Sequence, residues 1–169
     1  MPIVASDIKL MLSGGAANSN PNAALGGEIS ETEIVDATLH NLFDVVSGSE
    51  SAAGDTEYRC FYVLNDHATL ALQNARIYIN TNTPSPDTAA AIGLGTAAIG
   101  DDEQTVANES TAPSGVTFSA AAGVGAALTI GDLEPGESKA VWVRRTIDPN
   151  ASAYNNDNVE IAIVGDTAA

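Results

Sequence analysis

The chain has 169 residues, the size of one ordinary domain. It carries 22 acidic and 6 basic residues, a formal net charge of −16. This charge argues against nucleic acid and anionic membranes as partners, because both are bound through Lys and Arg side chains. The 44% of hydrophobic residues excludes charge-driven disorder, and the single cysteine, Cys60, excludes an internal disulfide and a cysteine zinc cluster.

The N-terminal third predicts one strand followed by irregular chain. Residues 1–7 lack the basic and apolar regions of a secretory signal, and no apolar run is long enough to span a bilayer, so we expect a protein made in the cytoplasm without a membrane anchor. Alternating apolar residues at 6–12 predict a strand, and a Gly-, Asn- and Ala-rich stretch predicts a long loop after it. Residues 1–56 are therefore predicted to form a strand plus an extended arm.

Residues 57–169 are predicted to form the core, within one domain overall. Their alternation and turn signals predict strands at 57–65, 75–81, 89–94, 116–118, 127–130, 138–147 and 158–164. The first of these is apolar on both faces and is predicted to be central in a sheet. Pro135 followed by Gly136 favours a type II turn before the strand at 138–147. The fold class is all-β, an antiparallel β-sandwich of immunoglobulin-like or jelly-roll-like form with a long irregular N-terminal segment.

No catalytic, cofactor or metal site is predicted. His40 and His67 lack a neighbouring pattern that would make either a general base, and Cys60 lies in an apolar strand where an inert thiol is expected. Acidic runs at 101–103 and 155–158 could offer oxygen ligands to Ca²⁺, but neither has the spacing of a calcium loop. Solvated loops are the favoured interpretation of both runs.

Four arginines and the tryptophan are the candidate structural and interaction residues. Trp142 lies mid-strand between valines and is predicted to anchor the core, where its indole N–H needs a partner. Arg59, Arg76, Arg144 and Arg145 are predicted either to pair with carboxylates inside the protein or to anchor an acidic neighbour, with internal pairing favoured.

The sequence also resembles a family of small virion structural proteins encoded in the head and tail gene blocks of tailed bacteriophages. The segments that carry this resemblance run through most of the chain, at 6–9, 12–18, 21–27, 54–62, 107–113 and 141–146. The resemblance implies a virion component and brings no catalytic residues with it.

Within that family, we expect a head decoration (cement) protein on the outer surface of the particle. It would bind the major capsid protein or other virion proteins, associate with its own copies, and stabilise the shell by bridging capsomers. The strong negative charge is compatible with an external position away from packaged DNA. One alternative is a tail, baseplate or neck-appendage component that mediates assembly or host-surface contact. Another is a small virion hydrolase, which the absence of a spaced acid–base pattern disfavours.

Overall fold

The computed structural model describes residues 2–167. Within this range, besides 3₁₀ turns at Ala5–Asp7, Pro21–Ala23 and Val124–Ala126, the regular elements are ten strands and one short α-helix. They are β1 (Ile8–Ser13), β2 (Gly26–Gly27), β3 (Ile29–Glu33), α1 (Gly48–Ala53), β4 (Asp55–Asn65), β5 (Leu72–Thr81), β6 (Thr88–Leu94), β7 (Glu103–Thr105), β8 (Leu128–Leu133), β9 (Ser138–Ile147) and β10 (Glu160–Thr167). No helix within residues 2–167 is long and apolar enough to cross a membrane.

The strands form two main sheets and a small third one. The larger sheet has five strands in the order β3-β1-β4-β9-β6, and the smaller has three in the order β10-β5-β8. Neighbouring strands are antiparallel in both sheets. The short strands β2 and β7 form a separate antiparallel pair. This architecture confirms the predicted all-β, antiparallel sandwich.

The side chains of β4 show why the five-stranded sheet is covered on both faces. Phe61 and Val63 point to one face and belong to the main core, which also contains Ile77 of β5 and Val143 of β9. The intervening side chains point to the other face and join a second apolar cluster around Trp142. Because alternate side chains of a strand lie on opposite faces, a strand that is apolar throughout must be buried on both. β4 is the middle strand of its sheet, as its sequence predicts.

The predicted division at residue 56 does not match the sheet. It falls inside β4, and β1 lies between β3 and β4, where Ile8–Leu12 pair in register with Phe61–Asn65. Met11, Leu12 and Ser13 of β1 are buried. Residues 1–56 therefore supply two strands of the five-stranded sheet, and their irregular chain lies mainly in the loop between β1 and β2 and in the loop at 34–47 before α1.

Two local predictions have opposite outcomes. The expected strand at 116–118 is wrong: these residues carry no regular structure, and only Ser119 makes an isolated bridge, to Ile92 of β6. Gly115, at φ +74°, precedes the segment and breaks the extended conformation.

The turn before β9 is confirmed, since Gly136 has φ +82° and the N–H of Glu137 donates to the carbonyl of Glu134 at 2.9 Å.

Candidate functional site

Charged side chains occupy the inward positions where β4 begins and β9 ends. Glu57 and Arg59 are on the same face of β4 as the core residues that follow them, and both are fully buried. Arg145 of β9 lies directly opposite Glu57 in the sheet register. Its Nε donates to Glu57 Oε2 at 2.5 Å, and its Nη2 lies 2.5 Å from the same oxygen.

Two loop segments complete this group, which we call the ionic cluster: Asp44, Glu57, Arg59, Glu109 and Arg145. Glu109 forms a salt bridge with the Arg59 guanidinium. The backbone carbonyl of Asp44 accepts a hydrogen bond from Arg145 Nη1 at 2.8 Å, and its carboxylate lies 3.5 Å from Nη2. The cluster thus joins two strands to two loops through charge-assisted contacts.

Phe43 covers both guanidinium groups of the ionic cluster. The Cζ atoms lie above its ring, 5.4 Å from the centroid for Arg59 and 4.7 Å for Arg145. Such cation–π contacts gain strength when the cation is removed from water, as it is for Arg59. The aromatic ring therefore covers the guanidinium groups, while the carboxylates of Asp44 and Glu109 remain partly exposed.

Glu57 is the electrostatically strained member of the ionic cluster. Burial raises the pKa of its carboxyl, the nearby Arg145 guanidinium opposes this rise, and the Glu109 carboxylate adds to it. Its Oε2 is paired with Arg145, but its Oε1 is buried and has no hydrogen-bond partner within residues 2–167. A buried acceptor without a donor is costly, so this oxygen has capacity for a ligand.

Two groups of three carboxylates meet at Glu57. In each group the atoms that could bind a metal lie within 4.8 Å of one another. One consists of Asp44, Glu57 and Glu109, and the other of Glu50, Asp55 and Glu57. The sequence singled out neither group. The acidic runs at 101–103 and 155–158 do not form a metal-ligand group of three in the part of the chain that the structure describes.

The four candidate arginines do not share one surface. Arg59 has no exposed side-chain area and Arg145 is 15% exposed, so both serve internal pairing, and Arg59 is not accessible to a partner. Arg144 points to the opposite face of β9, with its Cζ 5.3 Å from the centroid of the Phe118 ring. Arg76 of β5 is the only exposed Lys or Arg among residues 2–167.

Trp142 is fully buried, on the outer face of the five-stranded sheet and not between the two main sheets. Its indole N–H makes no hydrogen bond of good geometry within residues 2–167, but it lies close enough to the Glu103 carboxylate to help lower the pKa of that group. Nearby, the Tyr62 hydroxyl donates to the carbonyl of Gly27 at 2.5 Å and accepts from the N–H of Glu103 at 2.9 Å. Burial raises the pKa of Tyr62 to about 12. Tyr62 thus links β4 to both strands of the β2–β7 pair, which helps cover Trp142.

The two histidines lie in a turn and a loop, and the cysteine is buried in a strand. His67 Nδ1 accepts hydrogen bonds from the backbone N–H groups of Thr69 and Leu70, at 3.1 and 3.0 Å, and so shapes its turn. His40 is exposed on a loop at φ +59°. Cys60 is fully buried, and burial raises the pKa of its thiol.

The loop at residues 34–47, which we call the contact loop, exposes apolar side chains. Val35, Leu39 and Val45 are 62%, 71% and 67% exposed. Six large hydrophobic residues are at least 50% exposed within residues 2–167, and these three are the most exposed of them. Leu42 and Phe43 of the same loop pack against the main core and fix it to the sandwich. The apolar residues of this loop follow no periodic pattern, so the sequence alone does not indicate that they form an exposed group.

Two shallow grooves lie on the surface of the part of the chain that the structure describes. One, of about 380 Å³, is lined largely by the glycines at 14–15 and 26–27 together with Leu25 and Val106. The other, of about 310 Å³, lies between residues 3–8 and β10. Comparison of the chain with protein-family models, curated proteins and solved structures finds no match.

Proposed function

We propose that this protein is a structural component of a tailed-phage virion, a decoration protein that binds the outer surface of the head and stabilises the shell by bridging capsomers. The resemblance stated above supplies the class of particle. The observation that carries the role is the contact loop, in which three large apolar side chains project from a segment anchored to the core. Exposed apolar groups concentrated in this way are typical of protein–protein contact sites.

The anchoring of the contact loop favours binding without a large ordering cost. Phe43 packs against the core and two guanidiniums, and Asp44 is held by Arg145. A loop that is ordered before binding loses less conformational entropy when it meets its partner. The exposed side chains of the loop can therefore contribute most of their burial energy to affinity.

The surface charge favours a peripheral role with many copies. Lys9, Arg59 and Arg145 form salt bridges with five carboxylates, so half of the six basic residues are paired within the chain, whose net charge is −16. Copies of such a protein repel each other in solution. Association between copies is therefore expected on a lattice, where each copy is already held by the shell.

Binding of the purified protein to heads that lack it tests this proposal. We expect co-sedimentation of the wild-type chain, and loss of at least tenfold in affinity for Leu39→Ser, which removes the most exposed apolar side chain of the contact loop. Val124→Ser is the matched control, because Val124 is 50% exposed and lies outside the loop. Equal binding by both variants, or none by the wild type, would contradict the proposed use of the loop.

Copy number distinguishes the head surface from the rest of the particle. Quantitative mass spectrometry of purified virions should find this chain at an abundance comparable with that of the major capsid protein. A few to a few dozen copies per particle would instead assign it to the neck, tail or baseplate and would overturn the decoration role.

A further inference from the structure

The carboxylates of Glu50, Asp55 and Glu57 converge at the junction between α1 and β4. Asp55 and Glu57 are two residues apart on β4 and therefore lie on the same face of the strand. Glu50 reaches them because Gly54, at φ +77°, reverses the chain between α1 and β4. The candidate ligand atoms of the three side chains lie within 4.8 Å of one another.

Each of these carboxylates has one oxygen held by a protein donor. Glu50 Oε2 accepts from the backbone N–H of Ser47 at 2.6 Å, and Asp55 Oδ1 accepts from the N–H of Thr56 at 2.7 Å. Glu57 Oε2 is paired with Arg145. The donors fix the three groups and leave their second oxygens for another ligand.

Glu57 Oε1 is the atom whose surroundings indicate a bound ligand. Glu57 is fully buried, and its Oε1 has no hydrogen-bond partner within residues 2–167. Glu50 and Asp55 form no salt bridge with Lys or Arg in the same range. Three carboxylates this close together repel one another, and Arg145 offsets only one of their charges.

The neighbouring group of Asp44, Glu57 and Glu109 is a poorer site for a cation. Its members already pair with the guanidiniums of Arg59 and Arg145. A cation bound there would face two positive charges at close range. In the group at the α1–β4 junction only Glu57, which both groups share, lies beside Arg145 and near Arg59, whereas Glu50 and Asp55 form no salt bridge among the described residues.

We propose that Glu50, Asp55 and Glu57 bind one Ca²⁺ ion per chain. Calcium prefers six to eight oxygen ligands, including carboxylates, at flexible angles. Glu50 and Asp55 are partly exposed, so water can complete the coordination shell. The ion would satisfy Glu57 Oε1 and neutralise the repulsion between the three carboxylates. This site concerns the isolated chain and does not depend on the proposed role in the virion.

Calorimetric titration of the full chain with CaCl₂ tests the site. We expect one saturable site with a dissociation constant of about 0.1–1 mM, the weak end of the range for protein calcium sites. Mg²⁺ should bind at least tenfold more weakly, because it gives up its waters reluctantly and demands octahedral geometry. Absence of saturable Ca²⁺ binding in the millimolar range, or equal affinity for both ions, would overturn the assignment.

Asp55→Asn is the informative variant, because it leaves the Glu57–Arg145 pair intact. It should lower Ca²⁺ affinity at least tenfold while leaving Tm without calcium equal to or above that of the wild type, since repulsion is relieved. Asp101→Asn, an equal change of charge at an exposed residue of the 101–103 run, is the control. An unchanged affinity in Asp55→Asn, or the same loss in both variants, would show that calcium binds only to the diffuse negative charge.

Discussion

Replacement of Gly26 by alanine should displace the β2–β7 pair, which covers Trp142 on the outer face of the five-stranded sheet. A Cβ atom at Gly26 would overlap the carbonyl oxygen of Gln104 on β7, and would lie 2.9 Å from its carbonyl carbon and 3.1 Å from Trp142 Cζ2. Gly26 also has φ +92°, which an L side chain rarely adopts. The cost is about 1–2 kcal/mol for backbone strain and about 1–3 kcal/mol for overpacking.

Together these terms predict a loss of about 2–5 kcal/mol in the free energy of unfolding of Gly26→Ala. With a slope of about 2 kcal/mol per molar urea, the unfolding midpoint should fall by about 1–2.5 M. Gly15→Ala is the matched control, because Gly15 has φ +98° and no other residue comes within 4 Å of the place where a Cβ would lie. It should lose the backbone term alone.

Trp142 is the only tryptophan, so its fluorescence reports directly on this cover. We expect a red-shifted emission and greater acrylamide quenching in Gly26→Ala, with native values in Gly15→Ala. If Gly26→Ala keeps the wild-type spectrum and a midpoint within about 0.3 M of wild type, the packing of the β2–β7 pair against Trp142 has been misjudged.

Three further predictions concern the core. Burial acts to raise the pKa of Glu103, but hydrogen bonds, chiefly from the Ala97 backbone N–H, outweigh burial and lower that pKa. Ionised Glu103 therefore stabilises the fold above about pH 4.5, and this contribution is lost as pH falls through the lowered pKa. The difference in urea midpoint between wild type and Glu103→Gln should shrink on titration from pH 6 to pH 3, and a constant difference would contradict this prediction. Cys60 should react with a thiol reagent only at the rate of unfolding, because it is fully buried; rapid reaction of the native protein would show that its strand opens. Deletion of residues 1–13 should abolish the near-ultraviolet circular dichroism of the fold, because it removes β1, which lies between β3 and β4. A native spectrum would instead indicate that these residues form a separable arm.

Elements with strong alternation could be predicted from the sequence, and elements made by tertiary pairing could not. The strand at 138–147 has the bounds that its alternating residues predict. By contrast, β3 has the sequence ISETE, with one apolar residue, and is a strand because it pairs with β1. Val116 and Phe118 alternate like a strand but pack on the outer face of the sheet as irregular chain. Local pattern therefore fails where a neighbouring strand, or its absence, decides the conformation.

The ionic cluster could not be predicted from the sequence for a related reason. Pairing of the arginines with carboxylates was the favoured expectation, but the partners are distant along the chain. Glu57 and Arg145 are separated by 88 positions, and Arg59 and Glu109 by 50. Only the register of β4 against β9 and the path of the loops bring them together. A charged residue at an inward position of an apolar strand, such as Glu57, was the one available signal.

The ionic cluster and the contact loop have a common structural cause. At the start of β4 and the end of β9, inward positions carry Glu57, Arg59 and Arg145, and such charges are tolerated in a core only when they are paired and shielded from water. Phe43 and Asp44 provide the shield and one of the pairs, which fixes the contact loop to the sandwich although it has no regular secondary structure. Because the anchoring residues pack against the fold, the exposed side chains of the loop are not needed to hold it in place. Burial of charge at this end of the sandwich thus holds an exposed apolar loop in place on an otherwise acidic protein.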